Sequence, residues 1–229
     1  MTGTCRRVIA GLFGFGFALF VAGCASSTVV ATGGESQDAG RTQTERVVGL
    51  GVVAVAEVEI PHPAAQLVYR ELAVRDMLST VATHNGAFNV IDWRRLDAVV
   101  FRRNLEWSDL FDDRARREEV REILLNDYFL TATVSSFGER MEHTSSSFSR
   151  RRTQIAEVRV ELLLKDALTN EILVSTQAQA EARRNTTQAL GFGAGGGSDP
   201  SLANDAMLSA LESGIRRLVD EFQRSGVRN

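Results

Sequence analysis

Two long runs of alternating apolar and polar residues, separated by a short turn, constrain the fold of this chain most. The first run is IAEVRVELLLKD, residues 155–166, and the second is EILVSTQAQAEA, residues 171–182. One side of the two runs carries these apolar residues: Ala156, Val158, Val160, Leu162, Leu164, Ile172, Val174, Ala178, Ala180 and Ala182. Such alternation is typical of strands with one covered face, so the sequence predicts a hairpin that turns at Thr169–Asn170.

Before this hairpin, strand-like and helix-like segments follow one another. Residues 52–60, 88–93 and 128–137 are predicted strands, and residues 65–84, 94–105, 112–125 and 200–223 are predicted helices. The first helix has one expected buried side: Leu67, Leu72, Val74, Leu78 and Val81. The last helix begins at Pro200 and has another: Leu208, Leu211, Ile215, Leu218 and Phe222. The sequence therefore predicts an α/β (α+β) fold, a small mixed sheet with helices packed on one face.

The N-terminus has the organisation of a bacterial export signal. Arg6 and Arg7 precede an apolar run of 15 residues, Val8 to Ala22. This run is shorter than the roughly 20 residues of a membrane-spanning helix. The run ends before Cys24, in a context that resembles the box at which bacterial lipoproteins are cleaved and acylated. We therefore predict a signal peptide over residues 1–23 and lipid attachment at Cys24; the alternative is an ordinary secreted protein with an incidental cysteine.

The residues after Cys24 predict a tether and then one domain. Residues 24–46 are rich in Gly, Ser and Thr and lack an apolar period, so we expect a flexible lipidated tether. Residues 47–229 are the predicted domain. Because Ala25 and Ser26 follow the cysteine instead of Asp, we expect anchoring in the outer membrane with the domain facing the periplasm.

The net charge of the chain argues against nucleic-acid binding, and its cysteine content argues against a disulfide. Removing Arg6 and Arg7 with the signal changes the formal net charge from -3 to about -5, which does not favour nucleic-acid binding. Cys5 would leave with the signal, so the mature chain would contain no disulfide.

No group of residues has the spacing of a catalytic or metal site. The histidines, His62, His84 and His143, are far apart and do not have metal-ligand spacing, and no Ser-His-Asp set appears in a recognisable context. We therefore expect no enzyme, no metal and no cofactor. The segment GFGAGGG, residues 191–197, lacks the preceding strand of a dinucleotide fingerprint and is interpreted as a mobile loop. The segment SRRR, residues 149–152, either contacts an acidic partner or lipid headgroups, or forms a solvated hairpin tip.

Three stretches resemble the curli-secretion lipoprotein family, the CsgG/HfaB family, in order and spacing. The first is MLSTVATHNGAFNVIDWRRL, residues 77–96, which is similar to a helix, turn and strand of the family. The second lies within residues 126–176 and comprises NDYFLTATVSSFGE and QIAEVRVELLLKDALTNEILVST, similar to a strand followed by a hairpin. The third is MLSALESGI, residues 207–215, which resembles the C-terminal helix. Together with the lipoprotein signal, the likeness covers most of the chain.

The resemblance implies a lipoprotein of the outer membrane that assembles into a homo-oligomeric ring and acts in export or assembly of secreted or surface-polymer subunits. In the curli channel each subunit also contributes two β-hairpins to a shared barrel, and here these would lie near residues 138–153 and 183–199. The resemblance also assigns a pore constriction to the loop after the first strand, which is PHPAAQ here, residues 61–66. His62 and Gln66 are its nearest polar candidates, and the loop contains no aromatic residue, the next one being Tyr69.

The residues of the first hairpin region do not follow the pattern of a membrane strand, which has one apolar face. Charged or titratable residues occupy both alternating positions: Glu139, His143 and Arg151 on one, and Arg140, Glu142, Arg150 and Arg152 on the other. A second possibility therefore stays open, namely a membrane-tethered protein without a barrel. It would be either a PelC-like export ring or an LpoB-like activator of peptidoglycan synthase. We expect the domain lacking residues 1–24 to be soluble without detergent.

Overall fold

The computed structural model describes residues 26–31, 49–145, 149–189 and 200–226. The strands are β1 (Ser26–Ala31), β2 (Val52–Glu59), β3 (Asn89–Ile91), β4 (Tyr128–Ser145), β5 (Ser149–Asp166) and β6 (Ile172–Ala189). The helices are α1 (Pro63–Val68), α2 (Glu71–Asn85), α3 (Trp93–Arg102), α4 (Trp107–Asp112), α5 (Arg114–Leu124) and α6 (Pro200–Ser225). The predicted signal peptide, Cys24 and the Gly-rich segment 191–197 lie outside the described residues.

The described strands form one mixed sheet in the order β1-β6-β5-β4-β2-β3. β4, β5 and β6 are successive antiparallel neighbours, whereas β2 is parallel to both β3 and β4. The predicted hairpin of β5 and β6 is confirmed. Asn170 adopts a left-handed φ of 62° in its turn, and the Asp166 carboxylate accepts the N–H groups of Leu168 and Thr169, both at 2.8 Å. This turn brings the apolar sides of the two strands onto the same face of the sheet, from Val174 onward on β6. The prediction that Ile172 lies on this side was wrong: a register shift after Leu164 pairs Ile172 with Lys165, and Ile172 is 57% exposed.

Helices pack on both faces of the sheet. The larger core contains residues of β5, β6, α1, α2 and α6, and the smaller core joins β2 and β4 to α3, α4 and α5. β2 contributes to both, because Val53 and Val55 enter the first core and Ala54 and Ala56 enter the second. The α/β fold class is confirmed, and the structure adds a second helix layer to the one-face packing that we predicted. The physical reason is the continuous apolar run of β2, which is buried on both sides.

Tertiary contacts divide the helix that we predicted over residues 65–84. Tyr69 and Arg70 have extended backbones and separate α1 from α2. The interruption changes the phase of the apolar stripe, so that Val74 is buried while Leu67 is 89% and Leu72 is 55% exposed. The prediction that Leu67 and Leu72 lie on the buried side was therefore wrong.

One helix and the lengths of two strands also differ from the sequence-based prediction. α4 was not predicted, although Glu106 and Asp109 form a capping box that marks its start. β4 and β5 each span 18 residues and extend past the predicted strand ends at residues 137 and 155. Their backbone pairing continues to Ser145 opposite Arg150. Antiparallel pairing uses only backbone groups, so it persists where the apolar alternation has stopped.

A buried arginine joins helices α2, α3 and α4. Arg75 is 6% exposed, and its guanidinium lies 4.8 Å from the ring centroid of Trp93 and 4.9 Å from that of Trp107. These are the chain's two tryptophans. The guanidinium also donates to the Asp97 carboxylate at 3.2 and 3.4 Å. Stacking and ion pairing of one guanidinium therefore connect the three helices.

Gly214 allows α6 to lie close to the sheet. A Cβ atom at this position would be 2.8 Å from Cδ1 of Leu162 and 3.4 Å from Cβ of Ala178. The Gly214 carbonyl also accepts a hydrogen bond of 3.4 Å from the Thr176 hydroxyl. Gly214 belongs to the MLSALESGI stretch that carried part of the family resemblance, and its physical role is to permit this close approach.

Gly214→Val is expected to lower the free energy of unfolding by about 2 kcal/mol, because the added methyl groups overpack the contact with Leu162. Helix propensity alone would act in the opposite direction, since Val is a better helix former than Gly. Gly138→Val is the matched control, because a Cβ atom there has nothing within 4 Å. Chemical denaturation followed by circular dichroism measures both variants, and equal stabilities would contradict the proposed close contact.

Candidate functional site

The loop that the resemblance assigned to a pore constriction is partly helical. Pro63 begins α1, so residues 63–66 are helical, whereas the whole segment 61–66 was predicted to be a loop. The Gln66 side-chain amide donates to the Ile60 carbonyl at 2.7 Å and thereby bridges the two ends of the segment. His62 is the N-cap residue of α1, and its Nδ1 atom is buried without a hydrogen-bond partner in the described part of the chain. The structure thus brings His62 and Gln66 together, with the Gln66 amide already bonded to the backbone.

Tyr69, the first aromatic residue after this segment, belongs to the core. It is 4% exposed, and its hydroxyl donates to the Ala203 carbonyl at 2.6 Å. Its ring meets that of Phe137 edge-on at 5.4 Å. Burial, and to a lesser extent the charge of Glu139, raises the pKa of Tyr69 above its usual value. The side chain therefore remains a protonated donor that joins α1 to α6, and its ring is not available to line a passage.

The α1–α2 junction exposes three apolar side chains. Leu67 is 89%, Val68 is 39% and Leu72 is 55% exposed. We refer to these three residues as the apolar junction. Exposed apolar side chains that lie close together are typical of interaction surfaces. The sequence did not predict this surface, because its apolar period gives no sign that the backbone is extended at residues 69 and 70.

The three long strands continue past the helices as a ribbon, which we refer to as the arm: residues 138–145, 149–155 and 183–189. Backbone pairing holds the arm together across its width, since Arg140 pairs with Ile155 and Ile155 pairs with Arg183. The β4 residues from Gly138 to Thr144 are all exposed. The arm includes the regions predicted as hairpins, except for residues 146–148 and 190–199, which the structure does not describe.

Charged residues occupy both faces of the arm. On one face, Arg140 forms ion pairs with Glu142 at 3.6 Å, with Glu157 at 3.7 Å and with Glu181 at 3.2 Å. Glu181 also forms an ion pair with Arg183. Exposed ion pairs of this kind contribute roughly 0–1 kcal/mol each, so their main effect is to neutralise the arginines locally. On the other face, the Arg152 guanidinium contacts the Met141 sulfur, with Nη2 at 2.6 Å.

β1 lengthens the sheet on the outer side of β6. It runs antiparallel to β6, with Ser26 opposite Asn185 and Ala31 opposite Ala180. The segment that we predicted to be a flexible tether, residues 24–46, therefore contains a strand at Ser26–Ala31. Edge pairing satisfies backbone groups and needs no apolar period, which is why the composition of the segment did not predict it. The first residue of β1 lies nearest to the tip of the arm.

The described residues offer no arrangement of three or more His, Cys, Asp or Glu side chains that could hold a metal ion. An open pocket of about 490 Å³ lies between α2 and α6, with these residues in its lining: Thr80, Val81, His84, Asn85, Leu208, Glu212 and Arg216. His84 Nδ1 lies 2.8 Å from the Thr80 carbonyl of its own helix, and His143 is an exposed residue of the arm.

Among the residues that the structure describes, no helix has both the length and the apolar character that are needed to cross a bilayer.

Fold and arm together define a mixed α/β domain that extends a three-stranded antiparallel ribbon from one end of its sheet. The chain belongs to the CsgG family, the curli production assembly/transport component, whose family model matches residues 55–229. The resemblance noted in the sequence is thereby confirmed. The match runs from β2 through α6 and includes the arm and the apolar junction. A search of curated proteins found no match.

Several solved structures are similar to this chain at low identity. The C-terminal domain of LpoB from Salmonella enterica is 13% identical, with a TM-score of 0.37, and the alignment covers 59% of this chain and 85% of that one. Lipoprotein GNA1162 from Neisseria meningitidis is 15% identical, with a TM-score of 0.38 and coverage of 76% and 97%. The PelC dodecamer from Paraburkholderia phytofirmans is 14% identical, with a TM-score of 0.34 and coverage of 84% and 98%.

Proposed function

We propose that this protein is a lipid-anchored subunit of an oligomeric ring that exports or assembles surface polymers at the outer membrane. The observation that carries this proposal is the CsgG family match over residues 55–229, which includes nearly all of the described domain. The lipid is attached at Cys24, and the domain faces the periplasm. Its partners are further copies of the same chain, outer-membrane lipid and the secreted subunits that it handles.

The arm of this ring subunit stays outside the hydrocarbon core of the membrane. Arg140 and Glu142 lie on one face of the arm, and Arg152 lies on the other. A membrane-inserted strand directs one face to lipid, where an arginine near the midplane costs roughly 2–4 kcal/mol. Charges on both faces therefore favour an arm in water or at the headgroups, and this supports the tethered form of the ring over a membrane-spanning one.

The apolar junction is the proposed contact between neighbouring subunits. Leu67, Val68 and Leu72 are exposed on a chain that belongs to a family of assembly components. A second copy of the chain would remove these side chains from water, which stabilises association in proportion to the apolar area that is buried.

Leu67→Glu combined with Leu72→Glu is expected to convert the ring into monomers, because two carboxylates would have to be buried at each subunit contact. The matched control is Phe101→Glu combined with Ile172→Glu. Those residues are 85% and 57% exposed, against 89% and 55% for Leu67 and Leu72, and they lie outside the junction. Native mass spectrometry and electron microscopy of detergent-extracted, lipidated protein measure the state of assembly.

Each outcome of this experiment has a defined meaning. Rings that persist in the junction variant would exclude the apolar junction as the subunit contact. Rings lost equally in the control variant would show a non-specific effect of added charge. A wild-type protein that is monomeric at all concentrations would contradict the ring and favour the alternative, a tethered activator of peptidoglycan synthase of the LpoB type.

A further inference from the structure

The position of β1 determines where the lipid anchor can lie. Ser26 is paired with Asn185 of the arm, and Cys24 precedes Ser26 by two residues. Two residues span at most about 7 Å even when fully extended. A lipid on Cys24 therefore enters the membrane close to the outer part of the arm. This step rests on the lipid attachment that is part of the proposed function.

The arm beyond this point is basic. Asn185 is level with Thr153 of β5 and with Glu142 of β4, and the next β5 residues towards the tip are Arg152, Arg151 and Arg150. From His143 to Arg152, and from Thr186 to Ala189, the sequence contains no Asp or Glu. Three arginines thus lie at the tip of the arm in a chain whose formal net charge is -3.

Arg151 and Arg152 differ from the arginines further down the arm. Arg140 and Arg183 are neutralised by glutamates, as described above. Arg151 is exposed, and Arg152 contacts the Met141 sulfur. Neither Arg151 nor Arg152 forms an ion pair with a carboxylate in the described ranges. Their charge is therefore free to attract an anion at the end of the arm that is nearest to the anchor.

We propose that Arg150, Arg151 and Arg152 bind the phosphate headgroups of anionic phospholipid in the membrane that holds the lipids of Cys24. The guanidinium fork matches the oxygens of a phosphate group. Basic residues close to a negatively charged membrane surface are attracted to it over about one Debye length, roughly 10 Å. β1 begins opposite Asn185, next to the pair of Thr186 and Arg152, so the anchor lies at the same end of the arm as the arginines and the arm stands on the membrane with its tip at the headgroups.

The test uses the lipidated full-length protein with a fluorescent dye on Thr144→Cys. Thr144 is exposed and pairs with Arg151. Cys5 leaves with the signal and the Cys24 sulfur is acylated, so the new thiol is the reactive one. Energy transfer from the dye to headgroup-labelled lipid is measured in vesicles of phosphatidylcholine with and without phosphatidylglycerol. The same dye on Ser108→Cys, an exposed residue of α4, reports on the body of the domain.

We expect energy transfer from position 144 to increase when phosphatidylglycerol is present and to fall to the phosphatidylcholine level at high salt. Neutralising each arginine should weaken the headgroup contact about fivefold. The triple substitution Arg150→Gln, Arg151→Gln and Arg152→Gln should therefore abolish the increase. The matched control replaces Arg95, Arg102 and Arg114 by Gln. These are exposed arginines of α3 and α5, and their replacement should leave the increase intact.

Two results would overturn the inference. The first is equal energy transfer from position 144 with and without phosphatidylglycerol. The second is quenching of the dye by lipids brominated within their acyl chains, because that would put the tip inside the hydrocarbon. Neither result depends on the subunit contact. Failure here with intact rings and an acylated Cys24 would remove this inference and leave the proposed function standing.

Discussion

Arg75→Met is expected to lower the free energy of unfolding by about 3 kcal/mol, because it leaves the Asp97 carboxylate without its partner in a partly buried site. The Asp97 side chain is 33% exposed, so the loss lies at the lower end for a broken buried pair. The substitution also removes a cation from between Trp93 and Trp107. For a domain of this size, the loss corresponds to a midpoint of thermal unfolding lower by roughly 6–12 °C.

The control for this variant is Arg95→Met, which places the same substitution at an exposed arginine of α3. Its stability should stay within about 0.5 kcal/mol of the wild type. The double variant Arg75→Met with Asp97→Leu tests the cause, since removing both partners should recover part of the lost stability. Chemical denaturation followed by circular dichroism measures all three variants. A loss below about 1 kcal/mol for Arg75→Met would show that the cluster is not important for stability.

Cys24→Ser is expected to abolish lipid anchoring completely, because a hydroxyl at this position cannot take the place of the sulfur to which we propose that the lipid is attached. The precursor should keep its signal or be released from the membrane fraction without lipid. Mass spectrometry of the purified N-terminus and fractionation of membranes measure the two effects. In the wild type, the same mass measurement should find an acylated cysteine at residue 24.

Cys5→Ser is the matched control, since it places the same substitution at the only other cysteine of the chain, inside the predicted signal. This variant should be processed and anchored as the wild type is. A Cys24→Ser protein that is cleaved normally and remains in the outer membrane would contradict the lipid anchor. It would also remove the basis of the proposed contact between the arm and the headgroups.

Much of the fold could be predicted from local patterns. The alternation of β5 and β6 gave their shared apolar face, because each strand buries every second side chain against α6. Pro200 at the start of α6, the spacing of its apolar stripe and the turn at Asn170 were also predicted correctly. In each of these cases the structure depends on one element and the element next to it, so the residue pattern of that part of the chain was enough to predict it.

The candidate site was predicted less well, because its surfaces depend on contacts between distant residues. His62 and Gln66 were predicted on a loop, yet α1 begins between them at Pro63. Leu67 and Leu72 were predicted to be buried, but they are exposed because the helix is interrupted at Tyr69, whose hydroxyl donates to the Ala203 carbonyl. Residues 24–46 were predicted to be a flexible tether, but Ser26–Ala31 form β1, which pairs with a segment of β6 that lies far away in the chain.

By itself, the sequence determined the mixed α/β class, the hairpin of β5 and β6, the final helix and the resemblance to the CsgG family. These features follow from apolar periods and short motifs that act over a few residues. Only the tertiary structure decided the exposure of the apolar junction, the stacking around Arg75, the length of the arm and the pairing of β1 beside it. Those features arise from backbone pairing and packing between residues far apart in the chain, which leave no local period to read.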